Sequence, residues 1–115
     1  MDTTNVAELI VEQGKNTITS MQNLKGKADK QNKERADLFE KFCANEHSFR
    51  VYTYMDPKIG QLEVVQSFMK KVEMFGELFT GVNIEFETTV DKTRVTEAFQ
   101  EAMEAYYILL NTLQH

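Results

Sequence analysis

The chain has 115 residues, 42% of them hydrophobic and 27% charged, with a formal net charge of −5. That length makes one domain, residues 1–115, able to build a core of its own, and the negative balance argues against general affinity for nucleic acid or an anionic membrane. Cys43 is the single cysteine, which excludes an internal disulfide and fits a reducing compartment.

One proline and five glycines speak against a linker-rich or disordered chain. The opening MDTTNVAELIVEQGKN has no basic stretch followed by an apolar one, so no secretory leader is expected. No apolar run approaches the ~20 residues that a membrane span requires. The expected location is therefore the cytoplasm.

Residues 3–24 read as a first helix, with Thr3 or Thr4 as its cap. Val6, Leu9, Ile10, Thr17, Ile18, Met21 and Leu24 give it an uneven apolar stripe, interrupted by Gly14 at a cost of ~1 kcal/mol relative to alanine. Residues 25–35, KGKADKQNKER, hold no large apolar side chain. Lys25, Lys27, Lys30, Lys33 and Arg35 outnumber Asp29 and Glu34 there. The segment reads as a solvated turn or helix face, and it is also the one candidate basic patch. Gly26 can separate two helices at this point, or a single long helix can run through.

Residues 33–44 return to a helical pattern, with Ala36, Leu38, Phe39, Phe42 and Cys43 apolar and Asn45 as a plausible stop. Cys43 is expected to behave as a small hydrophobe. His47 follows, and with the terminal His115 as the second histidine no metal spacing is formed. Ser48 to Tyr54, SFRVYTY, alternates: Phe49, Val51 and Thr53 on one face, Arg50, Tyr52 and Tyr54 on the other. That is the signature of a strand.

Asp56 and Pro57 then supply a cap and a first helical position. Ile59, Leu62, Val65, Phe68, Met69, Val72, Phe75 and Phe79 recur at steps of three and four, filling a broad arc that ends near Gly81. Met74 and Leu78 fall outside that arc. Val82, Ile84, Phe86, Thr88 and Val90 alternate with polar residues and read as a second strand. Asp91 or Thr93 starts a last helix to about Leu113, striped by Val95, Phe99, Ala102, Met103, Tyr106, Leu110 and Leu113. Ala98, Ala102 and Ala105 are spaced for close approach of a neighbouring helix, while Glu97, Glu101 and Glu104 form an acidic stripe.

The predicted fold is thus α+β, helix-rich, in the order α-α-β-α-β-α, with a small two-stranded sheet. The alternative is an all-α bundle in which the two strand-like stretches are extended connectors. A broad apolar helix arc and unpaired sheet edges suggest a homo-oligomer, most simply a two-fold dimer. No phosphate-cradling loop, nucleophile elbow or zinc spacing is present, and no carboxylate pair is marked for acid–base work. The expectation is a non-enzymatic protein-binding module, a regulator, inhibitor or assembly or secretion chaperone, without cofactor or metal. Tyr52, Tyr54, Met74 and Tyr107 are the candidate partner-binding residues, because each lies outside the main stripe of its element and such side chains are favoured at interface cores. The alternative is a nucleic-acid-binding regulator using residues 25–35, although no aromatic residue interleaves there to stack on bases.

Overall fold

In the computed structural model, which describes residues 5–27, 33–80 and 90–114, the helices follow one another as α1 (Val6–Lys25), α2 (Lys33–Met55), the one-turn α3 (Pro57–Gly60), α4 (Glu63–Thr80) and α5 (Lys92–Leu113). Among the described residues there is no strand. The four long helices form an up-down-up-down bundle. The ion pair Lys27–Glu34 and the bond from Gln13 to Asn45 run α1 antiparallel to α2. Phe49 against Phe68 and Phe39 against Phe79 do the same for α2 and α4. Lys71–Glu101 and Phe68–Tyr106 do so for α4 and α5. Tyr106 at Val11, with Lys25 over Phe99, closes the ring between α5 and α1.

The α+β expectation is overturned by α2. Ser48 to Tyr54 is neither strand nor connector but the last two turns of a 23-residue helix. Burial shows why helix prevails. Phe49 is 2% exposed and Thr53, four residues on, is 4% exposed. Val51, which alternation places on the same face, is 45% exposed. A step of four is the helical repeat, and a step of two is not. β-Branched and aromatic residues are weak local votes that packing overrides. Asn45 does not stop the helix. Its side-chain and backbone oxygens accept from Gln13 Nε2 at 3.0 and 3.1 Å. The second expected strand, from Val82, lies outside the described residues except for Val90, which is buried and not in a strand.

The first helix has Asn5 at its cap, its side chain accepting from Ala7 N at 2.9 Å. Thr3 and Thr4 lie outside the described residues. Helix α1 ends at Lys25 with Gly26 as its C-cap, so the chain up to residue 44 contains two helices. Asp56 caps as its sequence position suggests, accepting from Lys58 N at 3.1 Å, with Pro57 in the first turn. That helix lasts one turn, however. The break at Gln61 and Leu62 leaves Leu62 exposed, outside the buried arc in which periodicity places it. Gln66 Nε2 donates to Gly60 O at 2.7 Å across the break. Asp91, not Thr93, caps α5, accepting from the amides of Thr93 and Arg94.

Phenylalanines fill the centre, all buried but the half-buried Phe39. Phe39 faces Phe79, Phe42 faces Phe75 and Phe49 faces Phe68, with ring centroids 6.1, 5.5 and 5.1 Å apart. Two glycines make room for rings. A Cβ on Gly14 would lie 3.0 Å from Tyr106 Cε1, and one on Gly76 would lie 3.0 Å from Phe42 Cε2. Gly60 is tighter still: a Cβ there would lie 2.0 Å from the carbonyl oxygen of Thr53.

Two outcomes test this packing in urea unfolding. Gly60→Ala, which must push α3 off the backbone of α2, is expected to cost about 2–3 kcal/mol, as overpacking does, whereas Gly26→Ala, whose Cβ would meet only ordinary contacts at 3.5 and 3.7 Å, stays within ~0.5 kcal/mol. Phe49→Ala is expected to cost about 3–5 kcal/mol and Val51→Asp, compared on the monomer, no more than ~0.5 kcal/mol. Equal damage from the latter pair would restore the strand reading of Ser48 to Tyr54.

Candidate partner-binding surfaces

Helix α2 presents an outward stripe at steps of three and four: Ala44, His47, Val51 and Tyr54, with Met55 beside it, all exposed. Tyr54 is 77% exposed, the most open of the large apolar side chains among the described residues. From Ala44 to Met55 the stripe carries no Asp, Glu, Lys or Arg, although His47 belongs to it and Glu40 and Asp37 continue it towards the start of α2. Tyr52, in contrast, is half-buried against the core. Tyr107 is exposed on α5, its ring 5.9 Å from that of Tyr106. Met74 is exposed on α4. The four candidate residues therefore do not converge: Tyr54 belongs to the α2 stripe, Met74 to the α4–α5 side and Tyr107 to the α1–α5 side.

The described basic residues of the segment lie where α1 ends and α2 begins, and several of them are engaged within the bundle. Lys25 Nζ sits 5.3 Å above the Phe99 ring. Lys27 pairs with Glu34 at 3.1 Å. Lys33 is exposed at the start of α2, and the Arg35 side chain is buried, which lowers its pKa from the ordinary value. Lys30 lies outside the described residues.

Two pockets lie end to end along the outside of α4 and α5 and together outline a groove. Its first half, about 340 Å³, is lined by Glu63, Val64, Ser67 and Lys71 of α4 and by Glu101, Glu104, Ala105 and Ile108 of α5. Its second half, about 450 Å³, is lined by Met74, Glu77 and Leu78 and by Arg94, Glu97, Ala98 and Glu101. Glu101 belongs to both halves, and its carboxylate meets Lys71 Nζ at 2.7 Å across the middle. The spacing of Ala98 and Ala105 signals close helix approach in the sequence. In the bundle these two line the groove beside α4, and Ala102 faces the core. Ile108 and Val51 carried no such signal, since an aliphatic residue in a largely apolar run reads as core.

On the opposite side of α4, Arg50 bonds Glu73 and lies 3.6 Å from Glu46. Burial opposes the Arg50 charge, but the hydrogen bond and charge of Glu73, then those of Glu46, outweigh it and raise its pKa. Burial pushes the Glu46 carboxyl up, and the positive charge of Arg50 offsets this only in part. The Cys43 thiol is also pushed up, by burial first and then by Glu46 and Glu40. A thiol held protonated is a poor nucleophile, which suits its half-buried place against the core. Among the described residues, no group of three His, Cys, Asp or Glu side chains is placed to hold a metal ion, and no helix is long and apolar enough to cross a membrane. No protein-family model, curated protein or solved structure matches the chain.

The raised Glu46 pKa carries a sign. Between the ordinary glutamate value and the raised one, the folded state binds more protons than the unfolded state, so the contribution of Glu46 to stability falls as pH rises through that window. Glu46→Gln is expected to raise the melting temperature at pH 7, with the gain over wild type closing as pH falls towards ~4.3. Melts across that range check it, and a gap that is constant with pH would contradict the assignment.

Proposed function

We propose that this chain is a non-enzymatic protein-binding module, a regulator, inhibitor or assembly chaperone, that works in the cytoplasm as a homodimer. The observation that carries the reading is the uncharged apolar stripe on the outside of α2, from Ala44 to Tyr54 and Met55. Exposed aromatic and methionine side chains are the types that anchor protein interfaces. Two acidic chains can meet there without apposing like charges, and a two-fold contact is self-complementary by symmetry. The dimer now rests on this surface and no longer on sheet edges. The alternative of a nucleic-acid-binding regulator needs several cations presented together. A buried Arg35, a Lys25 laid over Phe99 and a Lys27 paired with Glu34 favour the protein-binding reading instead.

Light scattering at micromolar concentration is expected to give close to twice the 13.3 kDa chain mass, and Tyr54→Glu is expected to give the monomer without loss of its helical melt. Tyr54 suits this better than Tyr52, which packs against the core. A wild type that stays monomeric over a hundredfold concentration range removes the dimer. Protein binding is read separately, with a photo-cross-linking residue at position 54 in the native host. Adducts to another protein are expected beside the self-adduct, and their absence counts against the module.

A further inference from the structure

We infer that the groove between α4 and α5 is a docking site for a basic amphipathic helix of a partner protein. This deepens the protein-binding reading and rests on it. Three features of the groove converge on that occupant.

The first is length. From Val64 to Leu78 the groove follows α4 for 15 residues, a rise of about 21 Å at 1.5 Å per step. An incoming helix of about four turns fills it, in the manner of helix-in-groove recognition. The second is the floor. Val64 of α4 lies with Ala105 of α5 at one end and Leu78 with Ala98 at the other, on either side of the Lys71–Glu101 pair, and all four are half-buried or buried. The alanines leave room for larger apolar side chains, which a helix supplies once per turn from one face. The third is charge. Five carboxylates line the groove against two cations, Lys71 and Arg94. That local excess of three repels nucleic acid, an anionic membrane and a second copy of this acidic chain, and attracts a cationic segment. Lys71 does not seal the groove. Its pair with Glu101 lies at the surface, where such pairs are worth little, so an incoming lysine or arginine can take over Glu101 at small cost.

The test uses the full chain and a labelled 18-residue peptide with leucine at one-turn intervals on one face and lysine on its flanks. Two comparators accompany it: the same peptide with glutamate for lysine, and a scramble of equal composition that has no apolar face. Fluorescence anisotropy is expected to show saturable binding of the first, at least tenfold weaker binding of both comparators, and weakening at higher salt. Glu97→Lys with Glu104→Lys, both exposed positions, is expected to weaken binding at least tenfold. Asp37→Lys with Glu40→Lys, exposed on the outside of α2, is expected to change it less than twofold. Thermal melts confirm folding, and Glu97→Gln with Glu104→Gln substitutes if the reversed pair does not fold. Equal binding of the scramble, or equal loss from the α2 pair, reduces the effect to diffuse charge attraction and overturns the proposal. So does a lack of saturable binding. If the peptide fails while cross-links from position 54 still reach another protein, the groove assignment falls and the module stands. Failure of both removes both.

Discussion

The contact between α2 and α4 through phenylalanine rings is the constraint on which the bundle depends. Three pairs, Phe39 with Phe79, Phe42 with Phe75 and Phe49 with Phe68, sit in antiparallel register along the length of the two helices. Each ring removes a large apolar area from water, and the stacked and edge-on geometries match what aromatic pairs prefer. These helices meet ring to ring. The other junctions close more tightly, through small or polar residues: Gly14 beneath Tyr106, Thr17 and Gln13 at Asn45, and the alanines of α5. Bulk on one side of the ring of helices is matched by near contact on the others.

The glycines belong to the same solution. Gly76 admits the edge of Phe42, and Gly14 admits Tyr106, whose hydroxyl then donates to Val11 O at 3.3 Å. The helix-propensity penalty at Gly14 is offset by the close approach of α5. Gly60 lets the one-turn α3 lie against the carbonyl of Thr53, so the chain reverses from α2 into α4 within a few residues. A reversal this short helps keep the phenylalanine pairs in register.

The outer surface divides the residues that the core does not use. The uncharged stripe of α2 and the acidic groove of α4 and α5 belong to helices that lie against each other through the phenylalanine ladder. A bundle is well suited to such division, because each helix has one face for the core and another for solvent or a partner. The polarity of the second half of the chain, which reads in sequence as a solvated acidic face, becomes a groove wall once α4 supplies the opposite side.

Periodicity by itself located α1, α5 and the body of α4, since each repeats apolar residues at three and four, and Asp91 caps α5 from the position that its sequence offers, but it gave no sign of the break at Gln61 and Leu62 that separates α3 from α4. It also placed Asp56 at a helix start, which is a local effect of a side chain on amides two residues away. Helix α2 was decided by tertiary structure. Its apolar residues do not gather on one face: Val51, Tyr54 and Met55 point outward, while Arg35 and Thr53 are buried. Without a clean helical stripe, the alternation and β-propensity of SFRVYTY point to a strand, and the helix is recovered through the partners of Phe42 and Phe49 on α4. The candidate surfaces divide along the same line. Tyr54 and the glutamates of α5 were legible as residues, but the groove was not, because a groove belongs to two helices and is formed when packing sets them side by side.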